Sequence, residues 1–102
     1  MIPRRHSRFH DLVQRQLDLF AAEEAELIEE AEEAERAYDR AEREDAEEAY
    51  GDFQLVLEAG AERLAELRDT YAATLDEDAA GEYEQAFRRA AVRRYPGFVG
   101  DL

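Results

Sequence analysis

Residues 50–75 read YGDFQLVLEAGAERLAELRDTYAATL, and this stretch decides the fold. Its apolar or small residues recur at alternating spacings of three and four, the period of a helix that packs against other helices. These positions are Tyr50, Phe53, Leu57, Gly60, Leu64, Leu67, Tyr71 and Thr74. Gly60 lies within this seam, where a missing side chain would let a neighbouring backbone approach, at a helix cost of about 1 kcal/mol. We therefore predict a long helix with a packing seam.

A second apolar stripe lies near the N-terminus. Ser7 is suited to cap a helix, and apolar residues follow it at helical spacing from Phe9 to Ile28. Residues 1–6 show no such period and are predicted to be a flexible basic arm. The first helix is predicted to cover about residues 7–43.

The middle of the chain is strongly acidic. The whole chain has a net charge of −14, and residues 21–50 alone carry 14 acidic and three basic residues. Residues 1–20 and 83–102 each have a net charge of +2. One interpretation is a solvated helix face. The other is a head-to-tail or antiparallel pairing of basic ends with acidic middles.

Two signals place a turn within residues 42–52. Asp45 and Glu48 have the spacing of a capping box, and Gly51-Asp52 is a turn dipeptide. The alternative is one helix over residues 7–75, about 100 Å long at 1.5 Å per residue. Its polar middle would lack tertiary support, so the sequence favours the turn and a second helix over about residues 46–75.

The C-terminal part predicts a third helix. Asp76 is a good N-cap, and Tyr95-Pro96-Gly97 ends the helix, which is expected over about residues 77–95. Residues 96–102 are predicted to be a short tail with exposed apolar side chains. The predicted fold class is all-α: a long antiparallel, coiled-coil-like helical hairpin with a shorter C-terminal third helix, in one domain over residues 7–95.

Composition argues against several functional classes. The absence of Cys excludes disulfides, thiolate zinc sites and cysteine nucleophiles, and it fits a reducing compartment. No apolar run is long enough to span a bilayer, so we expect a cytoplasmic protein with no membrane contact. The acidic charge argues against direct binding of nucleic acid. No nucleophile or phosphate-binding motif occurs, so no enzyme activity, catalytic residue or cofactor is predicted.

In size and layout the predicted architecture resembles the encapsulated ferritins: about 100 residues, two antiparallel helices and a short third helix. That resemblance implies a dimer that completes a four-helix bundle and a carboxylate metal site. Ferritin-like sites use Glu-x-x-His on facing helices, and no His lies three residues after a Glu in this chain. No metal ligand is therefore assigned. The tail, residues 98–102, also resembles the cargo-loading peptides of encapsulin shells, the alternatives being a frayed end or a tail docked on the bundle.

The function predicted from the sequence is that of a non-enzymatic, self-associating acidic helical protein with a structural or interaction role, as a homodimer or higher homo-oligomer. The first alternative is an acidic regulator or DNA-mimic-like binder of a basic protein. The second is an encapsulated-ferritin-like carboxylate metal protein. The residues predicted to form the helix-packing or oligomer seam are Phe20, Leu27, Tyr38, Tyr50, Phe53, Leu57, Gly60, Leu64, Leu67, Tyr71 and Phe87.

Overall fold

The computed structural model describes residues 7–100 and 102, and over these residues the chain is helical with no strand. Its four α-helices are α1 (His10–Glu23), α2 (Ala25–Arg40), α3 (Ala46–Ala72) and α4 (Glu77–Arg94), followed by a 3₁₀ turn at Pro96–Phe98. The prediction of an all-α fold is confirmed, and the prediction of three helices is wrong. The predicted arm, residues 1–6, lies outside the described residues. None of the described helices has the length and apolarity needed to cross a membrane.

The predicted first helix is interrupted at Glu24. This residue has φ −110° and ψ 30°, outside the helical region. The hydrogen-bond ladder still crosses the break, because the Glu24 N–H donates to the Phe20 carbonyl and the Glu24 carbonyl accepts from the Ile28 N–H. Neither Gly nor Pro lies nearby, so the local sequence does not impose the break. Since α1 packs on α4 and α2 packs on α3, the break lets each helix follow its own partner.

The chain reverses between α2 and α3 at residues 41–45. Ala41 has an extended backbone and ends α2. Asp45 occupies the N-cap position of α3, as the capping-box pattern predicted, but its side chain makes no capping hydrogen bond. Gly51 lies inside α3, so the Gly51-Asp52 dipeptide does not form the turn.

Helices α2 and α3 contact each other more extensively than any other pair. Next to the connection, the ring of Tyr38 lies 5.3 Å from the ring of Tyr50. Farther from it, Ile28 of α2 and Leu57 of α3 line the same notch. Residues earlier in α2 are thus paired with residues later in α3.

The core forms where α1, α4 and the second half of α3 meet. Its central side chain is Tyr83, whose ring packs 5.6 Å from Phe9 and 4.8 Å from Tyr71. The Tyr83 hydroxyl donates a 2.8 Å hydrogen bond to Oε1 of Gln16, so the buried phenol is satisfied. The largest completely buried side chains are Tyr83, Phe87, Leu17, Leu64 and Val13.

Helix α4 begins at the predicted cap. The Asp76 carboxylate accepts a 2.8 Å hydrogen bond from the Ala79 N–H. This is the helix that was expected to be short, and its 18 residues exceed the 14 of α1 and the 16 of α2. Near its end, Arg94 pairs with Asp18 of α1 at 2.8 Å.

The C-terminal segment folds back onto the core. Phe98 is only 5% exposed and lies between Phe20 and Tyr95, with ring centroids at 6.2 and 6.1 Å. The predicted exposure of the tail is therefore wrong for Phe98, because its ring fills the space above Gly60. A Cβ atom at Gly60 would lie within 2.7 Å of three ring carbons of Phe98. Gly60 thus admits an aromatic side chain, where the sequence had suggested an approaching backbone.

Candidate protein-interaction surface

Part of the α2–α3 layer extends beyond the core. No residue between 32 and 59 is buried, and we call this region the α2–α3 extension. The one buried residue of α2 is Ala31, and the buried residues of α3, Gly60 and Leu64, lie in its second half. The molecule is accordingly elongated, with dimensions of 53 × 35 × 23 Å. Much of the surface of the extension is therefore open to solvent or to a partner.

An aromatic cluster holds the outer end of the extension together. Tyr38 contacts Tyr50 at 5.3 Å and stacks near Phe53 at 6.4 Å. Tyr38 is 38% exposed and Tyr50 is 47% exposed. Aromatic pairs of this kind contribute about 0.5–1.5 kcal/mol beyond their buried area, so they stabilise the reversal while each ring keeps an exposed edge.

One side of the α2–α3 layer carries an open groove of 510 Å³. Small and aliphatic side chains line it, and of these Leu55 is 65% exposed. The acidic residues Glu30, Glu33 and Asp52 line it as well. We call this surface the acidic groove, and its residues are Glu30, Glu33, Ala34, Ala37, Ala49, Asp52, Leu55 and Val56.

The opposite side of the layer is partly covered by the chain itself. There a smaller notch of 170 Å³ lies between α2, α3 and the 3₁₀ turn. Its apolar walls include Phe53 and Leu57, and Tyr95 and Phe98 close one end of it. The C-terminal segment therefore covers the apolar surface on this side, whereas no described segment covers the acidic groove.

The carboxylates of the acidic groove form no ion pair with the basic residues that the structure describes. The described ion pairs join Arg8 to Glu82, Arg63 to Glu66, Arg68 to Asp69 and Arg94 to Asp18. None of them involves an acidic residue of the segment 21–50. The exposed Leu55 thus shares the groove with carboxylates that have no ionic partner among the described residues.

The groups with shifted pKa values lie outside the extension. A hydrogen bond from Arg68 lowers the pKa of the Asp69 carboxyl, and the two side chains are 2.8 Å apart at the surface. Burial raises the pKa of Tyr83 to about 12. Both shifts are explained by a surface pair and by core packing, so neither indicates a catalytic group.

The structure distributes the predicted seam residues over three environments. Phe20, Gly60, Leu64 and Phe87 are buried in the core of the chain, and Tyr38 and Tyr50 are exposed. Leu27, Phe53, Leu57, Leu67 and Tyr71 are intermediate. Their role in an oligomer stays a prediction.

The sequence pattern missed the residue that distinguishes the acidic groove. Leu55 lies off the seam, two positions after Phe53 and beside Val56. A large apolar residue outside the packing stripe of an amphipathic helix is the signal that could have identified it.

The part of the chain that the structure describes contains no group of three or more His, Cys, Asp or Glu side chains placed to hold a metal ion. The geometry therefore adds no support to the carboxylate metal alternative. No protein-family model, curated protein or solved structure matches this chain.

Proposed function

We propose that this chain is a non-enzymatic helical interaction protein whose copies self-associate through the acidic groove. In this proposal, α2 and α3 act together as an antiparallel hairpin that presents the groove to a partner. The observation that carries the proposal is Leu55, the most exposed large apolar residue among those described, in a groove that no described segment covers. Exposed apolar surface rimmed by polar groups is typical of interaction sites.

The energetics favour a partner on this surface. Most helical stability in proteins comes from tertiary packing of an apolar face, and residues 32–59 contain no buried residue. Covering the exposed part of Leu55 would contribute about 1–2 kcal/mol per contact. Covering Val56 and the alanines of the groove would add to this, so association supplies packing that the monomer lacks.

The test is the change Leu55→Gln, which replaces an apolar side chain with an uncharged polar one. Gln has nearly the same helix propensity as Leu, so the helix itself should be little affected. Its matched control is Leu19→Gln, because Leu19 is 54% exposed on α1 and does not line the acidic groove. Sedimentation velocity at micromolar concentrations should show an oligomer for the unchanged chain and for Leu19→Gln, and a weakened oligomer for Leu55→Gln. Substituting Leu64 would not serve, because that side chain is completely buried and its loss would unfold the monomer.

A monomeric unchanged chain would refute the proposal. Equal association of the Leu55 and Leu19 variants would refute the acidic groove as the contact surface. Circular dichroism of each variant establishes that the helices are intact, so that a loss of mass is not a loss of folding.

A second candidate function is the binding of a basic protein partner. Its support is that none of the 14 acidic residues in 21–50 has an ionic partner among the described residues. A monomeric chain that binds purified core histones, and loses them to added duplex DNA, would favour this DNA-mimic-like role. The cytoplasmic location and the absence of a cofactor stay predictions from the sequence.

A further inference from the structure

The outward face of α4 carries a basic stripe with an apolar centre. Arg88, Arg89 and Arg93 are exposed, and Val92 between them is 41% exposed. Their spacing of three and four places these residues along one side of the helix. The opposite side contains the buried residues of α4, which are Ala79, Tyr83, Ala86, Phe87, Ala90 and Ala91. We call the outward stripe the α4 face.

The exposed arginines of the α4 face form no ion pair with the residues that the structure describes. Arg94, at the end of the same helix, pairs with Asp18 and thereby joins α4 to α1. No described ion pair involves Arg88, Arg89 or Arg93. These three guanidinium groups and Val92 therefore form a surface with no acidic partner among the described residues of its own chain.

We infer that the acidic groove of one copy receives the α4 face of a second copy. The two surfaces are complementary in two respects. Three carboxylates, from Glu30, Glu33 and Asp52, match three guanidinium groups, and the exposed Leu55 of the same groove matches the exposed Val92 of the α4 face. Complementary charges around a small apolar contact select the partner and fix its register, and close charge pairs across an interface also strengthen binding. This inference rests on the proposed self-association and adds the second surface.

A contact between two different surfaces is heterologous. Each copy would use its groove for one neighbour and its α4 face for another, so assembly continues until a ring closes or a chain of copies forms. A symmetric contact of groove on groove would instead stop at two copies, and it would place carboxylates opposite carboxylates. The charges of the groove therefore favour the heterologous arrangement.

The experiment uses two neutralised variants of the full chain. The groove variant carries Glu30→Gln, Glu33→Gln and Asp52→Asn, and the face variant carries Arg88→Gln, Arg89→Gln and Arg93→Gln. Each one alone should lose the oligomers of the unchanged chain, with association weakened by roughly tenfold or more. Mixed in equal amounts, they should form a species with the mass of two chains and no larger one, because one intact groove meets one intact α4 face.

The control variant carries Glu32→Gln, Glu35→Gln and Asp39→Asn. It removes the same number of negative charges, three, all of them from α2, and it leaves the acidic groove unchanged. Sedimentation velocity should show that it associates like the unchanged chain, and circular dichroism should show intact helices in every variant.

The outcomes separate the inference from the proposed function. If the unchanged chain is monomeric, self-association itself is wrong. If the unchanged chain associates and the face variant does so equally well, the partner of the groove is another surface and the inference is overturned. It is overturned as well if the mixture stays monomeric, or if the control variant loses association as the groove variant does.

Discussion

Replacing Gly60 with Ala tests how the C-terminal segment closes the fold. Intrinsic helix propensity alone favours Ala over Gly by about 1 kcal/mol in a helix interior. Packing opposes this, because the new methyl carbon would lie within 2.7 Å of three carbons of the Phe98 ring. Ordinary contact between carbon atoms is about 3.5–4.0 Å, so the ring must move by roughly 1 Å.

The ring of Phe98 has little room for that movement. It is 5% exposed and lies against Phe20 and Tyr95. Overpacking of a core costs about 1–3 kcal/mol, and complete expulsion of the ring would cost as much as a Phe→Ala change, about 3–5 kcal/mol. After subtracting the gain in helix propensity, we expect Gly60→Ala to lower the free energy of unfolding by about 1 kcal/mol, and by about 3 kcal/mol if the ring is expelled.

Urea denaturation followed by circular dichroism, at one fixed protein concentration, measures this change. The matched control is Gly51→Ala in the same helix, where a Cβ atom meets nothing within 4 Å and the change should stabilise by about 0.5–1 kcal/mol. In a Phe98→Ala background the obstacle is gone, so adding Gly60→Ala should then stabilise the chain. If Gly60→Ala stabilises the unchanged chain as much as Gly51→Ala does, Phe98 does not occupy the space above Gly60.

Two further predictions concern α4. Asp76→Ala should lower the free energy of unfolding by about 1 kcal/mol, because the Asp76 carboxylate caps the Ala79 N–H. Asp45→Ala at the N-cap of α3 should lower it little, since no side-chain hydrogen bond is lost there. Urea denaturation of the two variants measures both changes. Burial raises the pKa of Tyr83 to about 12. The folded phenol then holds its proton above the ordinary pKa of about 10, so its contribution is complete below that pH and is lost as the pH rises toward 12. Tyr83→Phe should flatten this decline in unfolding free energy between pH 10 and pH 12, and an equally steep decline in the variant would contradict the assignment.

The sequence predicted those features that local chemistry controls. Helical period and composition were sufficient for the all-α class, and Asp76 caps α4 because its side chain reaches an N–H three residues away. The break at Glu24 could not be predicted in this way. It lies in a run of good helix formers, and it separates two helices that pack on different partners, α1 on α4 and α2 on α3.

The candidate surface was harder to predict, since it depends on what remains uncovered. The seam pattern gave Leu64 and Tyr50 equal weight, yet Leu64 is completely buried and Tyr50 is 47% exposed. The difference arises because the C-terminal segment meets α3 only beyond its first two turns, at residues such as Leu57 and Gly60, and leaves Tyr50 uncovered. The position of Phe98 decides which side of the α2–α3 layer is covered, and Phe98 lies beyond the last predicted helix.

A chain with a net charge of −14 must overcome repulsion between copies before it can self-associate. The screening length at physiological ionic strength is about 8 Å, whereas the longest dimension of the molecule is 53 Å. Charges on distant parts of two neighbouring copies are therefore largely screened, and the local composition of each surface decides the interaction. The α4 face is locally basic although the whole chain is acidic. For this reason the segregation of charge along the chain, more than its total, makes the contact between the α4 face and the acidic groove attractive.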